Sequence, residues 1–286
     1  MEALSMLNIE KVNLYDQFGL EKLPDRAGNL TCIYYSTGWE ISTSRVRPAV
    51  LILPGGGYHA VSDREAEPIA LRFANRGYAA FVLRYSVKPN VFPTSLRECA
   101  MAMKYIRENC EKFEVDPNMV SAIGFSAGGH LCGTLGTMYD APEVADIAPA
   151  EIVRPTAIGL CYPVAVSWGD THADSFINLT NHDEKLMERL SIDKLVRADM
   201  PPAFIWHTRN DALVPCRNSL VLAQAMNDIG VDYSLRIYHN GQHGLATADE
   251  TTYPVENVPV ISKEIVGWEE QMIEFFRECG LKMWDK

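Results

Sequence analysis

The chain has 286 residues, of which 47 % are hydrophobic, and it carries a formal net charge of −11. This length and composition fit one large α/β domain with an ample core, or such a domain with a small inserted cap. The acidic balance, with 37 acidic against 26 basic residues and no long Lys/Arg cluster, argues against nucleic-acid binding. No apolar run has the length of a membrane span, so we expect no membrane partner.

Cysteine usage and the N-terminal residues both indicate the cellular compartment. The seven cysteines are scattered, odd in number and contain no Cys-x-x-Cys pair, which favours reduced thiols over a disulfide framework. The first 22 residues mix charged and apolar side chains and lack the basic start and apolar stretch of a signal peptide. We therefore expect a cytoplasmic protein.

The elements predicted up to residue 85 are four strands and one helix, in chain order strands at 9–14, 30–35 and 49–53, a helix at 62–75 and a strand at 78–85. The first two strands are half-exposed in pattern, which indicates an antiparallel edge. The third is a continuous apolar run, typical of a parallel strand buried on both faces. The helix opens on a capping-box pattern, Ser62-x-x-Glu65, and Gly77 follows its end.

The elements predicted beyond residue 85 continue this alternation, in chain order a helix from Ser95, a turn at 116–118, a strand at 119–123, a helix at 129–138, strands at 156–161 and 203–207, a helix at 215–229, a strand at 233–238 and a helix at 261–276. The helix from Ser95 again opens on a capping-box pattern that ends in Glu98. Alternating strands and helices from residue 48 onward predict an α/β fold with a mostly parallel, doubly wound sheet. We expect a single domain over residues 1–286.

One segment, residues 167–200, interrupts the alternation. It is polar and partly helical. Two interpretations stay open: a small lid over the strand ends, or a long decorated loop. Its mixed aromatic and polar composition, which includes Trp168, fits a sugar better than a long lipid chain.

The segment Gly124-Phe125-Ser126-Ala127-Gly128 joins an apolar strand to a helix. Strand, Gly-x-Ser-x-Gly and helix together form the setting of a nucleophile elbow. A serine at the tip of a sharp turn needs a strained backbone, and small neighbours keep side chains from clashing there. At a helix start, free N–H groups and the helix dipole also favour a developing oxyanion. The alternative is an ordinary glycine-rich turn.

A nucleophilic serine needs a base and an acid that orients the base. His243 is the best candidate base, because it lies in the loop after the last strand, at the end of the sheet where open α/β folds bind ligands. Asp211 is the best acid, because it follows the previous strand. The order Ser126, Asp211, His243 is that of an α/β-hydrolase.

Other polar residues offer alternatives. His239 is either a rival base or a strand-end histidine bonded to backbone. We expect His207 to be a satisfied core histidine and Asp232 to lie at the surface. The spacing of His239 and His243 resembles a zinc pair, but Gly241 lies between them and no Glu follows the first, so that interpretation fails. A metal site would need another set, whose spacings match no known cage: His172, Asp174, His182 and Asp183. We expect no metal and no cofactor.

The glycine-rich segment Pro54-Gly55-Gly56-Gly57-Tyr58 directly follows the first buried strand. Glycines let the backbone approach a ligand and turn its N–H groups inward, as an oxyanion hole requires. A phosphate-binding loop is the competing interpretation, but it would need a Lys-Ser/Thr sequence or a G-x-G-x-x-G pattern, and neither is present.

Together, the glycine segment, the Ser126 motif, Asp211 and His243-Gly244 resemble the α/β-hydrolase esterases of the hormone-sensitive-lipase-like group, and among them acetyl esterases and acetylxylan-esterase-like proteins. The resemblance spans roughly residues 48–250. It implies Ser126 as nucleophile, His243 as base, Asp211 as orienting acid, and an oxyanion hole formed by Gly56, Gly57 and Ala127. One departure is Pro54, which stands where the family usually has a histidine and leaves open how the glycine segment is held in place.

The resemblance implies a cofactor-free serine esterase that removes short acyl groups, acetyl above all, from carbohydrate esters. We expect Tyr58 and Trp168 to contact this small-molecule substrate. A serine peptidase or an amidase such as an arylformamidase is the alternative within enzymes, and an inactive binding protein on the same fold is the alternative outside them. Assembly into a homo-oligomer stays open.

Overall fold

A single mixed sheet organises the part of the chain that the computed structural model describes, residues 7–22, 25–36, 46–253 and 263–282. Its strands are β1 (Leu7–Asn13), β2 (Asn29–Tyr35), β3 (Arg47–Leu53), β4 (Ala79–Arg84), β5 (Val115–Phe125), β6 (Ile158–Cys161), β7 (Ala203–Thr208) and β8 (Tyr233–Tyr238). They lie side by side in the order β1-β2-β4-β3-β5-β6-β7-β8. Strands β1, β2 and β4 pair antiparallel, and the pairs from β4 to β8 are parallel. The predicted α/β class and antiparallel N-terminal edge are confirmed.

Helices cover both faces of this sheet. They are α1 (Leu14–Gln17), α2 (Glu67–Ala74), α3 (Thr94–Glu108), α4 (Cys110–Phe113), α5 (Ala127–Met138), α6 (Ala150–Val153), α7 (Ala173–Thr180), α8 (Glu184–Arg189), α9 (Ile192–Leu195), α10 (Arg217–Ile229) and α11 (Trp268–Glu278). Single 3₁₀ turns occur at Asp63–Glu65 and Lys263–Ile265. None of these helices is long and apolar enough to cross a membrane.

Strand β3 explains why the sheet needs helices on two sides. All seven of its residues are buried, and alternate side chains enter different cores. Leu51 joins the cluster that contains buried residues of α3, α5 and α10, whereas Ile52 joins the cluster of α2 and α11. Because successive side chains of a strand point to opposite faces, an unbroken apolar run produces two cores.

Both capping-box predictions are wrong. Ser62 makes no side-chain cap, and α3 begins at Thr94 rather than after Ser95. The carboxylates of Glu65 and Glu98 are buried and bond to groups distant in sequence instead of to the local backbone. A buried carboxylate must find donors, and those donors come from the tertiary fold here.

Some predicted bounds also shift. The predicted turn at 116–118 lies within β5, where the Asn118 N–H donates to Asp116 Oδ1 over 2.8 Å and the register with β3 is interrupted. The last helix begins at Trp268, not 261, and residues 261–262 lie outside the described residues. These irregularities sit at element ends, where local pattern is least informative.

Residues 167–200 fold into the short helices α7, α8 and α9, which lie beside the sheet end that carries the glycine segment. The Asn178 side chain donates to the Gly57 carbonyl over 2.9 Å, and the Phe92 N–H donates to the Leu179 carbonyl over 2.8 Å. Ile192 packs against Gly133 of α5. The segment therefore adjoins the glycine-rich loop, and its action as a lid stays a prediction.

Candidate active site

The candidate residues gather at the carboxyl ends of parallel strands. Residues 54–58, here called the glycine loop, follow β3, and Ser126 follows β5. Asp211 follows β7, and residues 239–248, here called the histidine loop, follow β8. Since parallel strands end at the same edge of the sheet, residues far apart in sequence meet there.

Ser126 occupies a strained turn between β5 and α5, with φ 54° and ψ −119°. Its N–H donates to the Cys161 carbonyl over 3.0 Å, and its carbonyl accepts from His130 and Val164. Close packing explains the glycine at position 128, because a Cβ there would lie 2.1 Å from the Leu53 carbonyl oxygen. A side chain at position 128 would therefore prevent the tight turn that places the serine.

Ser126, His243 and Asp211 form a continuous chain of hydrogen bonds. The Ser126 Oγ lies 2.8 Å from His243 Nε2, and His243 Nδ1 lies 2.7 Å from Asp211 Oδ2. With the imidazole neutral and protonated at Nδ1, the serine hydroxyl donates to Nε2 and Nδ1–H donates to the carboxylate. His239, the rival base, is exposed, as is Asp232.

Asp211 has several donors around its carboxylate. Its Oδ1 accepts from the N–H groups of Leu213 (3.0 Å) and Val214 (2.9 Å). Burial alone would raise the pKa of Asp211, but the hydrogen bonds from His207 and His243 outweigh burial and hold that pKa below its usual range. The group is therefore ionised near neutral pH, as an acid that orients a histidine must be.

His207 is the satisfied core histidine that its place in β7 predicts. It is fully buried, its Nδ1 lies 2.8 Å from Ser219 Oγ, and its Nε2 lies 2.8 Å from the Val214 carbonyl. The carbonyl can only accept, so Nε2 carries the proton and Nδ1 accepts from Ser219. The same Nε2 lies 3.3 Å from Asp211 Oδ2, a contact that the sequence did not reveal.

The glycine loop turns tightly beside the serine. Gly56 and Gly57 have φ of 127° and 63°, and the Gly56 carbonyl accepts from His59 and Ala60 over 3.0 Å. Among the described residues, no acceptor takes the N–H groups of Gly56 and Gly57. Ala127 is the first residue of α5, so its N–H has no partner within the helix. The backbone N–H groups of Gly56, Gly57 and Ala127 are therefore free to donate, as an oxyanion hole requires.

The two predicted substrate contacts occupy different surroundings. Tyr58 is buried, and its hydroxyl donates to His130 Nδ1 over 2.8 Å, because His130 Nε2–H is committed to the Leu190 carbonyl. Trp168 is 41 % exposed, and its indole N–H donates to Asp193 Oδ2 over 3.0 Å. The hydroxyl of Tyr58 is thus occupied, and contact of either residue with substrate stays a prediction.

Three residues at this site were not among the predicted site residues. Glu65 and Tyr162 are buried and hydrogen-bonded to each other over 2.7 Å. The ring carbon Cε1 of His172 lies 3.6 Å from the point where a Cβ on Gly57 would stand. Burial first, and then the nearby His243, lowers the pKa of His172. In the sequence, His172 belongs to a set weighed as metal ligands and to the mixed polar and aromatic segment 167–200, and no cluster of three metal-binding side chains occurs within the described residues.

Comparison with known proteins identifies the class first. The chain has an α/β-hydrolase fold: it aligns with a carboxylesterase, Cest-2923, from Lactobacillus plantarum WCFS1 at a TM-score of 0.82 and 26 % identity, over 98 % of this chain and 100 % of that one. An acetyl ester-xyloside bifunctional hydrolase from Caldicellulosiruptor lactoaceticus aligns at a TM-score of 0.75 and 33 % identity, over 88 % of each chain. Within this class, the chain belongs to the BD-FAE family, whose model matches residues 39–226.

Curated relatives are larger proteins. The chain is 35 % identical over 215 residues to endo-1,4-beta-xylanase B of Butyrivibrio fibrisolvens, and this match covers 71 % of this chain and 33 % of that protein. It is 33 % identical over 205 residues to an acetylxylan esterase of Xylanibacter ruminicola, covering 68 % of this chain and 40 % of that protein. The matched region therefore spans between a third and two fifths of these relatives.

Proposed function

We propose that the protein is a serine esterase that hydrolyses short acyl esters, with acetylated carbohydrate as its substrate class. One observation carries this proposal: the hydrogen-bonded chain Ser126, His243, Asp211, placed beside free N–H groups of the glycine loop. Carbonyl attack by a hydroxyl needs a base, an oriented imidazole and donors for the oxyanion.

The reaction takes two steps. His243 Nε2 accepts the proton of Ser126 Oγ as the oxygen attacks the acyl carbonyl, and the N–H groups of Gly56, Gly57 and Ala127 stabilise the tetrahedral oxyanion. The oxyanion collapses to an acyl-enzyme while His243 returns the proton to the departing alcohol. Water, deprotonated by the same nitrogen, then attacks the acyl carbon, and the bond from that carbon to Ser126 Oγ breaks as His243 returns the proton to Oγ, which releases the acid and restores Ser126.

Two observations support a small acyl group and a sugar alcohol. His172 stands beside the glycine loop, with its Cε1 3.6 Å from the point where a Cβ on Gly57 would lie, and we propose that this ring limits the length of the acyl chain on that side. The relatives and solved structures include an acetylxylan esterase and an acetyl ester-xyloside hydrolase. We therefore expect kcat/KM for acetyl esters to exceed that for octanoyl esters at least about tenfold, equivalent to ~1.4 kcal/mol in transition-state binding.

The test combines nitrophenyl acyl esters of rising chain length and acetylated xylo-oligosaccharides with a fluorophosphonate probe that labels activated serines. We expect Ser126→Ala to abolish labelling and to lower kcat by about 10⁴–10⁶. Wild-type turnover in Ser126→Ala would end the serine-esterase proposal. Equal or better turnover of octanoyl esters would reject the short-acyl part alone.

A further inference from the structure

Glu65 is a buried acidic residue that the proposed reaction does not use. It ends the 3₁₀ turn Asp63–Glu65 and is 3 % exposed. Its Oε2 accepts the N–H of Gly55 over 2.8 Å, and its Oε1 accepts the hydroxyl of Tyr162 over 2.7 Å. None of the ion pairs among the described residues includes Glu65. A buried carboxylate without a cationic partner is costly, which suggests a use beyond stability.

The first partner of Glu65 places the glycine loop against the serine. A Cβ on Gly55 would lie 2.9 Å from Ser126 Cβ and 2.7 Å from Glu65 Oε2. The Gly55 backbone is thus packed between the serine and the carboxylate. Because Gly56 and Gly57 follow directly in the chain, a shift of Gly55 would displace the N–H groups proposed for the oxyanion hole.

The second partner reaches the histidine. The Tyr162 hydroxyl, which donates to Glu65, also accepts the N–H of Ala246 in the histidine loop over 3.0 Å. The Tyr162 ring meets the His243 ring edge-on, with centroids 5.1 Å apart and an interplanar angle of 72°. Burial, and next the nearby Glu65, raise the pKa of Tyr162 well above its usual range, so its hydroxyl stays protonated and donates.

We infer that Glu65 is a positioning residue, which holds the glycine loop and the histidine loop at a fixed separation through Gly55 and Tyr162. The inference rests on the proposed serine-esterase function. The carboxylate, with two acceptor oxygens and no donor, suits two donors that arrive from different loops. Tyr85 assists, since its hydroxyl donates to the Pro54 carbonyl over 2.6 Å.

The test compares Glu65→Gln with a matched control, Glu98→Gln. Glu98 is also a buried glutamate that accepts from a tyrosine hydroxyl and a backbone N–H, and it accepts from the Ser86 hydroxyl as well, but none of its partners belongs to the two loops. The measurements are kcat and KM on nitrophenyl acetate and the Tm of each variant. We expect Glu65→Gln to lower kcat about 10- to 100-fold with KM within about threefold, since a displaced oxyanion donor costs on the order of 10². Glu98→Gln should lower Tm and keep kcat within about twofold.

A Glu65→Gln variant with kcat within about twofold of wild type, in a protein whose turnover depends on Ser126, would overturn the inference and leave the proposed function intact. A wild-type protein that neither turns over nor takes the probe would instead remove the proposed function. In that case a crystal structure of Glu65→Gln decides: an unchanged Ser126–His243 distance and an unmoved Gly55 would overturn the positioning role. Should Glu65→Gln fail to fold, Tyr162→Phe cuts the same link, and unchanged kcat there would count against it equally.

Discussion

Glu65 and Glu98 show the same chemistry used in two regions of one molecule. Each carboxylate is buried, and each accepts from a tyrosine hydroxyl and a backbone N–H: Tyr162 and Gly55 in one case, Tyr15 and Ser86 in the other. The links of Glu98 join α3 to α1 and to the end of β4. Those of Glu65 reach the glycine loop directly and the histidine loop through Tyr162, whose hydroxyl accepts the Ala246 N–H.

The difference lies in what the donors are attached to. Burial raises the pKa of Glu98, and the hydrogen bonds from Ser86 and Tyr15 offset part of that rise. The donors to Glu98 belong to α1 and to the end of β4, so this network holds α3 in place. One donor to Glu65, the Gly55 N–H, lies one residue from a proposed oxyanion donor, Gly56. The other, the Tyr162 hydroxyl, accepts the N–H of Ala246, which lies three residues from the proposed base His243. We therefore expect polar links at the strand ends to alter rate, and the Glu98 network to alter stability alone.

Among the substitutions that test this comparison, Asp211→Asn should lower kcat the most. An amide in place of the carboxylate cannot hold His243 in the Nδ1–H tautomer, so kcat should fall by about 10³–10⁴. The measurement is kcat on nitrophenyl acetate beside Glu98→Gln as control. A loss of less than tenfold would contradict both the role of Asp211 and the separation of rate from stability.

A further polar link runs through His130, which accepts the hydroxyl of Tyr58 in the glycine loop and donates to the Leu190 carbonyl, and its contribution to stability should depend on pH. Burial lowers the pKa of His130 to about 4 from a usual value of 6.5. The folded state thus binds fewer protons than the unfolded one between these values. Its stabilising contribution is complete above pH 6.5 and is lost as pH falls towards 4, by roughly 3 kcal/mol at about 1.4 kcal/mol per unit.

The measurement is the free energy of unfolding from pH 7 to 4 for wild type and for His130→Gln. The variant should be less stable at pH 7, and its stability should fall by roughly 3 kcal/mol less on acidification. Other titrating groups are common to both proteins, so they cancel in the difference. Parallel pH profiles would show that His130 is not held neutral by the fold.

How much the sequence could predict differs between the triad and its supports. Ser126, Asp211 and His243 each follow a strand, and parallel strands bring such positions to one edge, so chain order alone indicates that they meet. Glu65 and Tyr162 are 97 residues apart, and neither lies in a pattern that signals contact. The Ser62-x-x-Glu65 spacing instead pointed to a local cap, because a sequence pattern carries no record of a tertiary donor. For the same reason the predicted Tyr58 contact did not anticipate that His130 takes its hydroxyl.

Gly56 and Gly57 allow the same kind of comparison within the glycine loop, because a side chain would meet different surroundings at each position. A Cβ on Gly56 would lie 2.1 Å from the Ala60 carbonyl oxygen, so Gly56→Ala must move the loop and should lower kcat by at least ~10²-fold. A Cβ on Gly57 meets nothing nearer than His172 at 3.6 Å. Gly57→Ala then carries only the strain of its positive φ, and we expect a loss below about tenfold. Equal losses in the two variants would show that backbone placement is not what matters there.

The smallest expected effect on kcat comes from the tyrosines that donate to the two glutamates, and the substitutions Tyr162→Phe and Tyr15→Phe compare them. Each substitution removes one hydroxyl donor from a buried carboxylate. The free energy of unfolding should fall by about 1–3 kcal/mol in Tyr162→Phe, and by less in Tyr15→Phe because Glu98 Oε1 keeps the Ser86 hydroxyl as a donor. Only Tyr162 also receives the Ala246 N–H of the histidine loop, so only its variant should lower kcat, by a few-fold, with KM little changed. The measurements are denaturant unfolding and steady-state kinetics on nitrophenyl acetate. If Tyr15→Phe lowers kcat as much as Tyr162→Phe does, the two regions are not functionally distinct, and the loss of rate in both reflects general destabilisation.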